Sequence, residues 1–209
     1  MAASSLPSIS HPPKGADVTR ERLLQATHEL LFERAGVEPS VSQICERAGV
    51  QVAMVSYCFG GKTRMLEALV QRLLDNATGE LDQLAAQQLE PVETLHRHIA
   101  AVIRNFVRYP YLSQLTEQLR TGSSLAAHMA GTLSEPMIAF YTDLLAAGVR
   151  DRVFREIDPT LLFFSVVGMC EYLFAARSSL SDAGAALDNE LIERFTEHTL
   201  KLLMHGMLA

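Results

Sequence analysis

Ser40, Ser42, Ser56, Tyr57 and Lys62 fall within one short stretch, and each carries a hydroxyl or ammonium group suited to a phosphate oxygen. Among them stand Val52, Ala53 and Met54, whose small or apolar side chains fit base edges; Ala53 and Met54 suit a thymine methyl group. Groups for catalysis are not found. The chain has no nucleophile elbow, no phosphate loop and no paired-carboxylate motif. His96 and His98 are two apart, which on a helix puts them on opposite faces, so they do not chelate one ion. His128, His198 and His205 have no partner at ligand spacing. No catalytic residue, metal site or cofactor is expected.

The elements that must position these groups can be read from the same stretch. Ser40 to Lys62 holds two short amphipathic segments on either side of a Gly49-Val50 corner, followed by Phe59-Gly-Gly-Lys62. This is the pattern of a helix-turn-helix, in which the first helix braces and the second presents its start to a DNA major groove. Ser40 with Gln43 makes a capping box for a helix that runs to Ala48. Gly49 takes a left-handed turn where a Cβ would strain. A short helix is expected over Val52 to Cys58, with Ile44, Val55 and Phe59 facing inward. Ahead of the pair, Val18 to Arg34 places Leu23, Leu24, Ala26, Thr27, Leu30 and Leu31 on one stripe, and Gly36 stops that helix.

Helical spacing continues through the chain, and strand signals are nearly absent. Thr63 is expected to cap a helix from Arg64 to about Gln88, with Thr78-Gly79 as a possible bend. Pro91 starts the next, which ends before Pro110. Shorter pieces follow over Leu112 to Thr121 and Ser124 to Leu133. Glu135-Pro136 is expected to open another that Gly148 closes. Asp158-Pro159 is a start signal for a helix to about Arg177. A polar loop, Ser178 to Ala186, leads to a last helix over Leu187 to Met204. The expectation is an all-α protein of nine or ten helices without internal repeats.

Bulk properties set limits. The net charge is −6 over 209 residues. From Lys14 to Asp75 there are eight basic and eight acidic residues, and from Asn76 onward ten basic and sixteen acidic, so all the excess acid lies outside the candidate DNA-binding part. Phosphate binding must then rest on a few placed groups and helix N-termini rather than a broad positive field. The three cysteines, Cys45, Cys58 and Cys170, are far apart and in no CxxC arrangement, which argues against disulfides and structural zinc and for a reducing cytoplasm. No run approaches the ~18 apolar residues of a membrane span. Residues 1–15 lack a secretion signal and read as a disordered tail.

Arg22-Leu-Leu-x-Ala26, Leu31-Phe32, Gly36-Val37, Ser40, Ile44, Ala48-Gly49-Val50, Ala53, Phe59, Gly61, Lys62, Met65 and Leu66 together resemble the N-terminal domain of TetR-type transcriptional regulators. The resemblance covers Val18 to Leu73 closely and the remainder only in architecture. The chain departs from the family pattern at Gln51, where Ser is usual, at Ser56, where Tyr is commonest, and at Cys58, where an aromatic or His is usual. The loop Val37 to Pro39 is one residue short. The resemblance implies a helix-turn-helix domain over 16–62 and a regulatory and dimerisation domain over 63–209, joined by a long helix. The expected DNA contacts are Ser40, Ser42, Gln51, Val52, Ala53, Met54, Ser56, Tyr57 and Lys62.

The resemblance further implies a homodimeric, cytoplasmic repressor that leaves a near-palindromic operator when a small, largely apolar effector binds. The dimer surface is expected on the last two helices, where Gly168, Ala175 and Ala176 allow close approach. The middle of the chain is rich in aromatics and Met, and a mostly apolar cavity with a few polar groups is how small-molecule pockets are built. Arg104, Phe106, Tyr109, Arg120, His128, Met129, Tyr141, Phe163, Met169 and Tyr172 are the expected effector pocket. Glu171 interrupts an apolar helix and needs a partner, a ligand or a solvated edge. Cys58 beside the reading helix reads as an inert thiol or an oxidation switch. An all-α enzyme or a protein-interaction module without DNA binding remain the other classes open to such a chain.

Overall fold

The computed structural model describes Leu6 and residues 15–122, 124–176 and 187–208, without the side chains of residues 15, 16, 120–122 and 124–133. Among the described residues there are nine helices: α1 Gly15–Glu33, α2 Val41–Ala48, α3 Ala53–Phe59, α4 Lys62–Ala86, α5 Pro91–Arg108, α6 Leu112–Gly122, α7 Ser124–Arg150, α8 Pro159–Ala175 and α9 Asn189–Met207. One isolated antiparallel bridge joins Phe154 and Leu208. The loop expected over Ser178 to Ala186 and nearly all of the expected N-terminal tail lie outside the described residues. Leu6 is described; it is buried, and its N–H donates to Gln25 Oε1 at 2.9 Å.

Two compact units can be distinguished. The first comprises Ala2–Asn76 with Arg108–Gly131, and the second comprises Ala77–Val107 with Thr132–Ala209. The first unit is therefore larger than the domain read as 16–62. Met65, Leu66, Leu69, Val70 and Leu73 on α4 are buried, as are Leu23, Leu24, Leu30 and Leu31 on α1. A later segment joins them: Tyr111 Oη is hydrogen-bonded to His28 Nδ1 at 2.5 Å, and both side chains are buried. Tyr109 sits edge-on to the same imidazole, 5.6 Å between ring centroids. Burial pushes the Tyr111 hydroxyl above the usual range for a phenol.

In the second unit the core is made by residues repeating at helical spacing: Leu95, Ile99 and Ile103 on α5, Tyr141, Leu144 and Leu145 on α7, and Leu162, Val166 and Cys170 on α8. Each such side chain contributes roughly 1.5–3 kcal/mol on leaving water. His98 Nε2 meets Tyr141 Oη at 2.9 Å inside this core. Desolvation pushes His98 down to about 4, so its imidazole is neutral.

Several boundaries differ from the expectation. The two helices expected to meet at Glu135-Pro136 are one, α7, which runs through Pro136 to Arg150. A proline forfeits one helical hydrogen bond and strains the preceding turn, and a long helix packed on a core can absorb that cost. Gly148 does not close a helix either. A Cβ there would lie 2.0 Å from Phe154 Cδ2, so the glycine exists to seat the buried Phe154 ring. α4 starts at Lys62 rather than after a Thr63 cap, its first bond running from Met65 N–H to the Gly61 carbonyl at 3.2 Å. Asp158 does cap α8, accepting from Thr160 N–H at 2.7 Å and Leu161 N–H at 3.1 Å. Asp188 does the same for α9, accepting from Leu191 N–H at 2.9 Å.

Candidate nucleic-acid interface

α2 and α3 have only eight and seven residues, too few to be stable alone. Local devices define their ends. The Ser40 hydroxyl accepts from Gln43 N–H at 3.3 Å, while the Gln43 side chain accepts from Ser40 N–H at 3.0 Å, completing the capping box. Gly49 has φ of 64°, and the chain reverses there with Val50 N–H donating to the Cys45 carbonyl at 3.0 Å. Gly60, with φ of 78°, ends α3, its N–H reaching the Ser56 carbonyl at 2.9 Å.

Side chains from α1 fix the pair in place. Arg20 Nη1 donates to the Cys58 carbonyl at 2.8 Å, and its guanidinium lies 4.1 Å from the centroid of the Phe59 ring. A cation on the last carbonyls of a helix opposes the negative end of its dipole. Arg47 on α2 grips Glu33 with Nη1 and Nη2 at 2.9 and 2.8 Å, and reaches Glu29 at 3.3 Å. The Arg47 guanidinium holds the Glu33 carboxyl below the usual range. Arg72 on α4 reaches Glu21 at 2.6 Å. Ile44, Val55 and Phe59 face inward, as the spacing implies.

Gln51, Val52, Ala53, Ser56 and Tyr57 are exposed, and Met54 is half-buried. Val52 is 54% and Tyr57 75% exposed, so both side chains are open to solvent. Ser40 and Ser42 are exposed on the first turn of α2. Lys62, expected to meet a phosphate, is ion-paired with Glu38. Nothing in the spacing singles out Glu38, because a pairing across a loop leaves no periodic trace. The spacing gives no signal for Arg20 or Arg47 either, and they position α2 and α3. Cys58 is half-buried on α3.

Of the residues expected to form an effector pocket, Tyr141, Phe106 and Phe163 belong to one apolar cluster of the second unit. Tyr109 belongs to the first unit, beside His28. Arg104 is exposed and Tyr172 is 76% exposed, while Tyr141 is sealed in the core against His98. Phe163 and Met169 are half-buried, and Phe106 stacks on Phe174 at 5.9 Å. The side chains of Arg120, His128 and Met129 lie outside those described. The second unit does contain a recess of about 430 Å³ between α4, α5 and α7, lined by other residues. Glu171 is exposed on α8, the solvated edge of the three alternatives.

Residues 88–209, more than half of the chain, match the family described as "Tetracyclin repressor-like, C-terminal domain". The chain belongs to the TetR family of transcriptional regulators. Its fold is all-α, with a helix-turn-helix before a helical C-terminal domain, the architecture of a family of DNA-binding regulators of transcription. Among curated relatives, HTH-type transcriptional regulator BetI 1 of Chromohalobacter salexigens is 31% identical over 86 residues, 41% of each chain. BetI of Brucella canis is 30% identical over 98 residues, 47% of this chain and 46% of that one. These matches therefore span less than half the length of the relatives. Among solved structures, the ketosteroid transcriptional regulator KstR2 of Mycobacterium tuberculosis superposes with a TM-score of 0.73 at 14% identity, covering 99% of this chain and all of that one. A gamma-butyrolactone receptor (ArpA-like protein) gives 0.64 at 18% identity, covering 92% and 89%. At such identities the structural likeness speaks for the TetR-type fold. No helix among the described residues is long and apolar enough to cross a membrane.

Proposed function

We propose that this TetR-family protein is a homodimeric repressor that reads a near-palindromic operator with α3 and leaves it when a small, largely apolar effector binds its C-terminal part. The observation that carries the reading is the outward face of α3. Val52, Ala53 and Tyr57 are exposed there while Val55 and Phe59 of the same short helix are buried. In this reading Gln51, Val52, Ala53 and Met54 meet base edges, and Ser40, Ser42, Ser56, Tyr57 and Lys62 meet phosphates. Two copies would place α3 in successive major grooves about 34–36 Å apart.

The proposed dimer surface is α8 with α9. Leu161, Phe164, Gly168, Tyr172 and Ala175 recur at helical spacing on α8, and all are exposed. Leu161 and Phe164 are 64% and 63% exposed, and Leu202 on α9 is exposed as well. A stripe of that apolarity on a water-facing helix favours a covering partner, and a second copy covers it symmetrically. The effector would act by its differential affinity for conformers whose two α3 helices do or do not match the groove spacing.

Fluorescence anisotropy with DNA from the protein's own promoter region tests this. Binding should weaken linearly in log–log form with salt, as counterions are released. Replacing Tyr57 and Lys62 together by Ala should weaken binding about a hundredfold at unchanged melting temperature. Retained affinity in that double variant would sink the assignment of the interface. A Phe164→Glu, Tyr172→Glu variant should sediment as a monomer; a wild-type protein that is already monomeric at micromolar concentration removes the dimer.

A further inference from the structure

Eight basic residues fall between Lys14 and Asp75, and their partners sort them by place. Arg47 is ion-paired with Glu29 and Glu33, Lys62 with Glu38, and Arg72 with Glu21. Arg34 Nη1 donates to Gln43 Oε1 at 2.9 Å. Lys14 lies outside the described residues. Arg20, Arg22 and Arg64 are left. All three are exposed, and among the described residues none of them has a carboxylate partner.

These three arginines lean on the turns that bound α3. On the turn before it, Arg22 Nη2 makes one long hydrogen bond, 3.4 Å to the Gly49 carbonyl, and a Cβ on Gly49 would lie 2.8 Å from the same nitrogen. Past the other end, Arg20 is committed to the Cys58 carbonyl and the Phe59 ring. Arg64 reaches back from the first turn of α4 and lies along Gly60, where a Cβ would come within 3.0 Å of its Nη1 and 3.5 Å of its Cδ. Among the described residues the Arg64 guanidinium makes no hydrogen bond.

An ion pair is the ordinary fate of a surface arginine where acidic and basic residues are equal in number, eight of each from Lys14 to Asp75. Cations left open around one seven-residue helix give it a positive surround although the part as a whole is neutral. A guanidinium also carries its N–H groups in a planar fork that meets two phosphate oxygens at once, which an ammonium does not. A helix seated in a major groove carries the turns at its ends past the sugar–phosphate strands. Groups on those turns meet phosphates and set the register of the helix without reading bases.

We propose that Arg22 before α3 and Arg64 after it bind the DNA backbone through its phosphates, with Arg64 the stronger contact because its donors are unspent. The inference rests on the reading of α3 as the DNA-reading helix, and it adds two charged contacts to the hydroxyls and Lys62 already placed there. Arg20 stays a positioning residue, holding the end of α3.

The slope of log affinity against log salt concentration reports how many phosphates a protein neutralises. Fluorescence anisotropy with the full-length protein gives it, on promoter DNA and on a duplex of unrelated sequence at low salt. Arg64→Gln should lower the slope by about 0.9 per bound protomer on both duplexes, and weaken binding about fivefold per protomer near 0.1 M salt. Arg22→Gln should lower it as well, and the two together should lower it by about 1.8. Arg64→Lys should restore most of the slope, since the charge returns without the fork. Arg150→Gln on α7 removes the same charge from the second unit and should leave the slope unchanged. A wild-type slope in Arg64→Gln, an equal fall in Arg150→Gln, or no recovery in Arg64→Lys would overturn the contact and leave the reading of α3 in place. A wild-type protein that binds neither duplex, or binds both without regard to salt, overturns the reading of α3 and this proposal with it.

Discussion

Charged side chains are used differently in the two compact units. In the first, ion pairs tie different elements together: Arg47 of α2 to Glu29 and Glu33 of α1, Arg72 of α4 to Glu21 of α1, and Lys62 to Glu38 across a loop. In the second, the described ion pairs run along single helices, Arg97 with Glu93 and Lys201 with Glu197, each one turn apart. The difference follows from size. Helices of seven and eight residues bury too little to fix their own orientation, so caps and cross-element contacts must set it. The long helices of the second unit have enough apolar face to be placed mainly by packing. A surface proposed to match DNA thus relies on cross-element ion pairs, and the second unit relies mainly on apolar packing, with the His98–Tyr141 hydrogen bond as a directional contact between α5 and α7.

The strongest challenge to this contrast is at Phe154. If packing is the main term in the second unit, Phe154→Ala should cost about 4 kcal/mol, read as a fall in the denaturant midpoint. Gly148→Ala should also destabilise, because the new Cβ meets the ring at 2.0 Å. The two together should cost less than their sum, since the alanine methyl occupies space the ring has left. Additive losses would show that the contact is not made.

A smaller effect is expected from acid. His98 is buried with a folded value of about 4 against an ordinary 6.5. Below pH 6.5 the unfolded chain takes up a proton that the folded chain refuses. Stability is therefore full above pH 6.5, falls as pH drops toward 4, and is then level, with a loss approaching about 3 kcal/mol. Chemical denaturation from pH 7 to 4 should show this slope, and His98→Gln should flatten it; an unchanged slope would place the acid sensitivity elsewhere.

The first unit should respond to loss of single directional contacts. Ser40→Ala removes one half of the capping box and should cost about 1 kcal/mol. A change of less than a few tenths in the denaturation midpoint energy would mean that α2 is placed by packing after all. The smallest expected effect is at Glu38. Glu38→Gln frees Lys62 from an ion pair that is more than a third exposed on the Glu38 side, so stability should barely move. Affinity for promoter DNA should rise about twofold to fivefold, most clearly at low salt. Unchanged affinity would remove Lys62 from the phosphate contacts.

The same contrast explains what the sequence made legible. The capping box at Ser40, the left-handed Gly49, the inward Ile44, Val55 and Phe59 and the Asp158 cap are all set by neighbours a few residues away, so residue type and spacing declare them. The family resemblance of Val18 to Leu73 rests on that local grammar. Long-range partners leave no such mark. Glu38 opposite Lys62, Tyr141 beside His98 and Tyr111 beside His28 could not be paired from spacing, and a list of aromatics does not say which of them share a cavity. Tyr109 and Tyr141 were expected to line one pocket and belong to different units. Pro136 misled for another reason: a proline reads as a helix start, and the packing of α7 overrides it.

The hydrogen bond between His28 and Tyr111 joins residues 83 positions apart. Ribosomes add about 5–20 residues per second, so roughly 4–17 s separate the synthesis of one partner from that of the other. Through that interval the helix-turn-helix exists without the segment that buries His28. The core around His28 is thus completed late, only once the chain has been extended well past α3.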